Sequence, residues 1–160
     1  MEVLCFLCST LIDTTMYNGL LHAHSGLRWV VLILLLVAIF NAFSKKKSGL
    51  YSEGDRKLAL FTMISVHIQL LIGLVLYFIS PLVVFSSESM GNTIQRFYLV
   101  EHISLMLVAI VLITIGHSKS KKAIADSKKF GAIATFYLIG LILILASIPW
   151  PFRIETAGWF

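Results

Sequence analysis

Residues 97–117, FYLVEHISLMLVAIVLITIGH, form an apolar run whose single acid, Glu101, is followed at once by His102. A helix needs about 20 mostly apolar residues to cross the hydrocarbon core of a bilayer. No water reaches that core, so a spanning segment must satisfy its own backbone hydrogen bonds. A run of this length therefore leaves few folds open to the chain. Three more runs resemble it, and spans are expected at about 18–44, 58–80, 97–117 and 130–148. Pro81 closes the second, and Pro149 and Pro151 close the fourth, because the residue before a proline is pushed out of the helical region. The composition agrees: 58% of the residues are hydrophobic and 13% are charged, against about 25% charged in a soluble domain. The expected fold class is an all-α integral membrane protein. Its short loops predict an up-down-up-down four-helix transmembrane bundle. Gly73, Ala109, Gly131, Ala134 and Gly140 are small residues that allow helices to approach closely.

Charge orients the bundle. Ten of the thirteen Lys/Arg residues fall in 44–57 and 117–129, and the other three, Arg28, Arg96 and Arg153, fall on the opposite side. Cations collect in cytoplasmic loops. Both basic loops are thus expected in the cytoplasm and both termini outside, in a multi-pass protein of the bacterial inner (cytoplasmic) membrane. The net charge of +5 then reports orientation, and no nucleic-acid partner is expected. The lipid bilayer is the expected partner; the anionic inner leaflet would also favour the lysines, but orientation is the simpler account. Trp150, Trp159 and Phe160 suit an interfacial anchor.

The 16–160 region is expected to be the four-helix domain. Residues 1–15, MEVLCFLCSTLIDTT, fit it poorly and are expected to be a leader or to precede a natural start at Met16. Cys5 and Cys8 form a CxxC, but no His follows it directly, so it is not a c-type haem attachment signature.

Ionisable groups at membrane depth are expensive and mark functional sites. With Tyr17, Ser80 and Arg96 as outer-boundary markers and a rise of about 1.5 Å per residue, His24 lies roughly 10 Å deep, His102 roughly 9 Å and His67 roughly 20 Å. His24 and His102 stand on the first and third helices, which are diagonal in a simple bundle. Two imidazoles facing one another at one depth are what a six-coordinate haem iron needs. Arg28, one turn after His24 on the same face, could pair with a haem propionate, and Arg96 is a second candidate. Tyr98 shares a face with His102, and Ser25 and Gly26 would let a porphyrin approach the first helix. His67 is the alternative ligand.

Plainer accounts exist for each group. A lone membrane His often only hydrogen-bonds between helices, worth about 0.6 kcal/mol. His22 and His117 sit where solvent reaches, Glu101 and Arg28 could form an ion pair, and His67 with Gln69 could be a buried hydrogen-bond site. A non-haem site for Zn or Cu would use His22, His24, Glu101 and His102, although His22 and His24, two residues apart, point in different directions. A proton path through Glu101 and His67 is a further reading.

The segments GLLHAHSGLRWVVLILLLVAIFNAF, GDRKLALFTMISVHIQLLIGLVLYFISP and RFYLVEHISLMLVAIVLITIGHSKSKKA resemble a family of small bacterial four-helix membrane proteins described as cytochrome b-like. The likeness covers Met16 to about Trp150. More distantly, His on alternate helices with a Glu beside one of them is similar to one half of a haem A synthase. That pattern implies His24 and His102 as haem ligands and leaves His67 outside; a single four-helix unit would need to dimerise to supply two haem sites.

The expected function is a haem b-binding electron-transfer protein of a respiratory or redox assembly, with bis-His ligation near the outer face. Its expected partners are respiratory-complex subunits or quinone, or a second copy of the chain. The alternative is a non-catalytic accessory or assembly subunit of a membrane complex. The chain lacks a nucleotide motif or catalytic triad, so any catalysis would rest on the haem or metal.

Overall fold

A computed structural model describes residues 2–47, 49–152 and 154, with side chains from residue 14 onward. The side chains of residues 2–13, Cys5 and Cys8 among them, and residues Arg153, Trp159 and Phe160 lie outside what is described. Those described are helical with no strand. Four helices are long and apolar enough to cross a membrane: Thr14–Lys45 within a longer first helix (Glu2–Lys45), then Glu53–Ile79, Thr93–Lys122 and Asp126–Ser147.

Each helix outruns its apolar stretch, because hydropathy measures what hydrocarbon tolerates and not where a helix is capped. The second helix starts at Glu53, five residues before the apolar run, on a capping box. Ser52 Oγ accepts from Asp55 N at 3.2 Å, and Asp55 Oδ2 accepts from Ser52 N at 2.9 Å. That reciprocal pair satisfies two backbone donors that a helix start otherwise leaves open. The third helix starts at Thr93, where Asn92 Oδ1 accepts from the backbone of Ile94 and Gln95. The second and fourth helices stop at Ile79 and Ser147, just before Pro81 and Pro149.

Pairwise contacts set the helices in a ring. Tyr17 meets Ser80, Gln69 meets the carbonyl of His24, and Asn41 meets Asp55, so the first two helices run antiparallel. Tyr77 to Leu99 and His67 to Thr114 do the same for the second and third. His102 to Ser147 pairs the third with the fourth. Trp29 on Trp150, at 6.3 Å between ring centroids, closes the fourth onto the first. The first and third helices are diagonal, sharing no substantial packing.

Leu35, Ile113, Phe130, Tyr137 and Ile148 fill the centre and are fully buried. The third and fourth helices meet most closely, at small residues. A Cβ on Gly140 would stand 2.7 Å from Ile113 Cγ1, and one on Gly116 would stand 2.5 Å from Phe136 Cβ. Ala109 and Gly140 meet there and Gly116 belongs to the same seam; Ala134 is buried within the bundle. Large apolar side chains such as Phe40, Phe61, Leu71 and Phe78 point outward, the arrangement lipid favours and water does not. Polar groups inside the spans are answered locally: Tyr137 donates to the Ala59 carbonyl at 2.9 Å and Thr62 to that of Leu58 at 2.8 Å.

Candidate functional site

The third helix departs from α geometry where the sequence is unusual. Phe97–Glu101 form a π turn, closed by His102 N donating to the Phe97 carbonyl five residues back. Single π turns inside α-helices recur at functional sites. The extra residue turns everything upstream by about one position relative to His102. It also places residue i+5 under residue i, so Arg96 Nε reaches Glu101 Oε1 at 3.0 Å. Glu101, read from the sequence as a partner for Arg28, makes its ion pair with Arg96. Both Phe97 and Tyr98 flank the His102 ring, at 5.8 and 6.4 Å between centroids.

His102 is held from the fourth helix. Its Nδ1 lies 2.7 Å from the Ser147 carbonyl. A carbonyl can only accept, so Nδ1 carries the proton and the lone pair is left on Nε2. Metal-binding histidines are oriented in this way, with the second ring nitrogen donating to a carbonyl or carboxylate. The carbonyl is available because the fourth helix ends there, at Ser147, ahead of Pro149.

His24 is held from the second helix. Gln69 Nε2 donates to its carbonyl at 2.8 Å. Its ring lies against Gly73, where a Cβ would come within 2.9 Å of Cε1 and 3.5 Å of Nδ1. Nδ1 of His24 is buried and meets no hydrogen-bond partner among the described residues, and the same holds for Gln69 Oε1. A buried polar atom left unpaired costs about 1–3 kcal/mol. Arg28, His24 and His102 lie within electrostatic reach of one another, and Tyr98 within reach of Arg28. The Arg28 guanidinium rests over Trp29, 5.5 Å from the ring centroid. His24, Arg28, Tyr98 and His102 are thus brought together at one end of the bundle.

The other candidates fall elsewhere. His67 Nδ1 donates to the Met63 carbonyl at 2.8 Å, and its Nε2 faces the Thr114 hydroxyl at 3.4 Å. Thr114 is twelve residues beyond His102 on the same helix, roughly 18 Å along the axis. His22 is exposed. His117 is partly buried, with Nδ1 enclosed and unbonded among the described residues. Among the described residues no three His, Cys, Asp or Glu side chains form a metal-binding group, so the set of His22, His24, Glu101 and His102 is not assembled.

Two features of this end escaped sequence reasoning. Gln69 was placed beside His67 but braces His24. Ser147, an ordinary helix-end residue in the sequence, supplies the carbonyl that fixes the His102 tautomer. Neither leaves a local signal, since both depend on the register between helices.

No protein-family model matches the chain, and comparison with curated proteins and with solved structures gives no significant match.

Proposed function

We propose that the protein is a membrane haem b carrier that passes single electrons within a respiratory or redox assembly, in which His24 and His102 would hold the iron. The observation that carries this reading is the His102 ring, fixed by the Ser147 carbonyl with Nε2 left as the lone-pair nitrogen. It stands within electrostatic reach of a partly buried His24 whose enclosed Nδ1 has no partner among the described residues. Those two atoms are the test of fit, and a bis-imidazole site suits them. Haem b, when bound, supplies one-electron chemistry at its iron. The chain's own residues position and tune. Gly73 leaves room for the His24 ring, Phe97 and Tyr98 limit rotation of His102, and Arg28 offers a cation to a propionate. Burial among apolar helices keeps water from the site and with the ligands sets the potential.

Orientation belongs to the same proposal. Both basic loops face the cytoplasm of a bacterial inner membrane and the histidine end faces outward, as the cation bias favours. An outward site suits exchange with quinone or a neighbouring subunit. Orientation is tested with a membrane-impermeant maleimide on intact cells, in a Cys5→Ser/Cys8→Ser background. Asn92→Cys should label before lysis and Ser118→Cys only after it; the reverse order overturns the assignment.

The central test is the visible spectrum of the full chain purified from haem-replete cells, oxidised and dithionite-reduced. A Soret band with a sharpened reduced α-band is expected, lost in His24→Ala and in His102→Ala and kept in His67→Ala. A colourless preparation sinks the electron-transfer reading. It would favour the rival, an accessory or assembly subunit, which draws on the hydrogen bonds that already occupy His67 and one nitrogen of His102. Elemental analysis of the same sample tests a Zn or Cu site.

A further inference from the structure

At the end of the bundle opposite the histidines, an open groove of about 720 Å³ runs between the close of the first helix and the start of the fourth. Three lysines, Lys46, Lys47 and Lys128, line it with Ser127, Thr135 and Phe43. The three acids at this end are already committed. Asp55 takes Lys45 at 2.7 Å, Glu53 takes Arg56 at 2.6 Å, and Asp126 takes Lys129 at 2.8 Å. None of the groove lysines forms an ion pair among the described residues. Three ammonium groups thus converge on one cleft with no counter-charge from the described chain. Lys46 is also placed: its Cε lies 3.5 Å from where a Cβ on Gly131 would stand, so the missing side chain lets its stem lie on the fourth helix.

The groove is polar only at its mouth. Along the first helix, Phe43 is followed one and two turns deeper by Phe40 and Leu36, which are exposed. Along the fourth, Thr135 is followed by Ile139 and Ile142, also exposed. Residues three, four and seven apart share a helix face, so an apolar track leads from the lysines toward the membrane centre. A soluble anion would use only the mouth. A molecule with a phosphate head and acyl chains would use both parts.

We propose that this cleft is a binding site for one anionic phospholipid. Lys46, Lys47 and Lys128 take its phosphodiester headgroup, and Phe43, Phe40 and Ile139 lie along its chains. Basic pockets between membrane helices are a recognised setting for such headgroups. Here charge complementarity selects the head, and the apolar track selects a lipid over free phosphate.

The test is native mass spectrometry of the full chain released from detergent micelles. The chain is titrated with dioleoylphosphatidylglycerol, with zwitterionic dioleoylphosphatidylcholine, and with inorganic phosphate. One phosphatidylglycerol should bind at least about tenfold more tightly than phosphatidylcholine, consistent with several lysines each contributing near a charged head. In Lys46→Gln/Lys47→Gln/Lys128→Gln that preference should fall at least about tenfold. It should survive in Lys119→Gln/Lys121→Gln/Lys122→Gln, which removes equal charge from the same end, and in Lys46→Arg/Lys47→Arg/Lys128→Arg. Equal loss in both Gln triples would mean only a diffuse basic end, and overturns the site. Phosphate competing as well as the lipid overturns the lipid assignment. Absence of headgroup preference in the unaltered chain overturns the proposal without recourse to any variant.

Discussion

Two polar clusters sit on the same pair of helices, and they are finished to different degrees. Near the basic end Asp55 is buried and fully answered: Asn41, Lys45 and both the backbone and hydroxyl of Ser52 donate to it at 2.7–2.9 Å. Near the other end His24 and Gln69 are partly buried and incompletely answered, each with one enclosed atom unbonded among the described residues. Both clusters bear the cost of taking polar groups out of water. At Asp55 it is offset by four hydrogen bonds, of which the two from Asn41 and Lys45 join the first helix to the start of the second, as a structural rivet requires. At His24 the bond from Gln69 Nε2 to its carbonyl offsets part of it, and His24 Nδ1 and Gln69 Oε1 stay unmet among the described residues. On the proposed reading, this unmet capacity near a tautomer-fixed His102 is where a bound group would be held.

The comparison breaks if the two clusters respond alike to substitution. The largest expected effect is at the rivet. Asp55→Ala leaves Asn41 and Ser52 without their acceptor and removes the capping box, while the half-exposed Lys45 can turn to water, and should destabilise the chain by about 2 kcal/mol, the sum of a lost cap and unmet partly buried donors. Thermal or denaturant unfolding in detergent measures it, and a loss below about 1 kcal/mol would show that Asp55 is no rivet. Gly73→Ala should behave in the opposite manner. The new Cβ meets the movable His24 ring and not backbone, so stability should change by less than about 1 kcal/mol. Yet the ring must shift, and any haem absorbance should broaden or weaken. Unchanged absorbance in a haem-loaded Gly73→Ala protein would separate His24 from the iron.

Most of the helical architecture could be read from the chain, for a physical reason: lipid permits so few folds that apolar runs alone count the helices. What escaped was whatever depends on one residue's place. The capping box of Ser52 and Asp55 is present in the letters SEGD, but a hydropathy window averages over it, so the second helix was expected to start at about 58 and starts at Glu53. The π turn at Phe97–Glu101 leaves no compositional mark, and it decides that Glu101 pairs with Arg96. That His24, Arg28 and His102 lie within electrostatic reach of one another agrees with their depths, because depth is fixed by helical rise. Their braces, Gln69 and Ser147, were not legible, because each reaches across to another helix.

Gln69 offers a finer test of the same contrast. Its amide donates to the His24 carbonyl at 2.8 Å while Oε1 stays unbonded. Gln69→Met keeps the volume, loses one hydrogen bond and removes one unmet acceptor, so the two terms nearly cancel and stability should move by less than about 0.5 kcal/mol. A loss of several times that would make Gln69 a rivet as well, and would erase the distinction between the clusters at this position.

The smallest effect belongs to His67, and it shows why a histidine at membrane depth is not in itself a site. Its Nδ1 donates to the Met63 carbonyl, and its Nε2 can only accept, from a Thr114 hydroxyl 3.4 Å away whose single proton goes chiefly to the Ile110 carbonyl at 2.8 Å. Removing the ring costs Met63 nothing that its helix does not supply, and leaves Thr114 its shorter bond. His67→Leu should therefore cost about 0.6 kcal/mol, the average for one interhelical hydrogen bond in a membrane, measured by the same unfolding assay, with the visible spectrum unchanged. Loss of the Soret band in His67→Leu with stability intact would reassign the ligand from the incompletely answered cluster at His24 and His102 to His67.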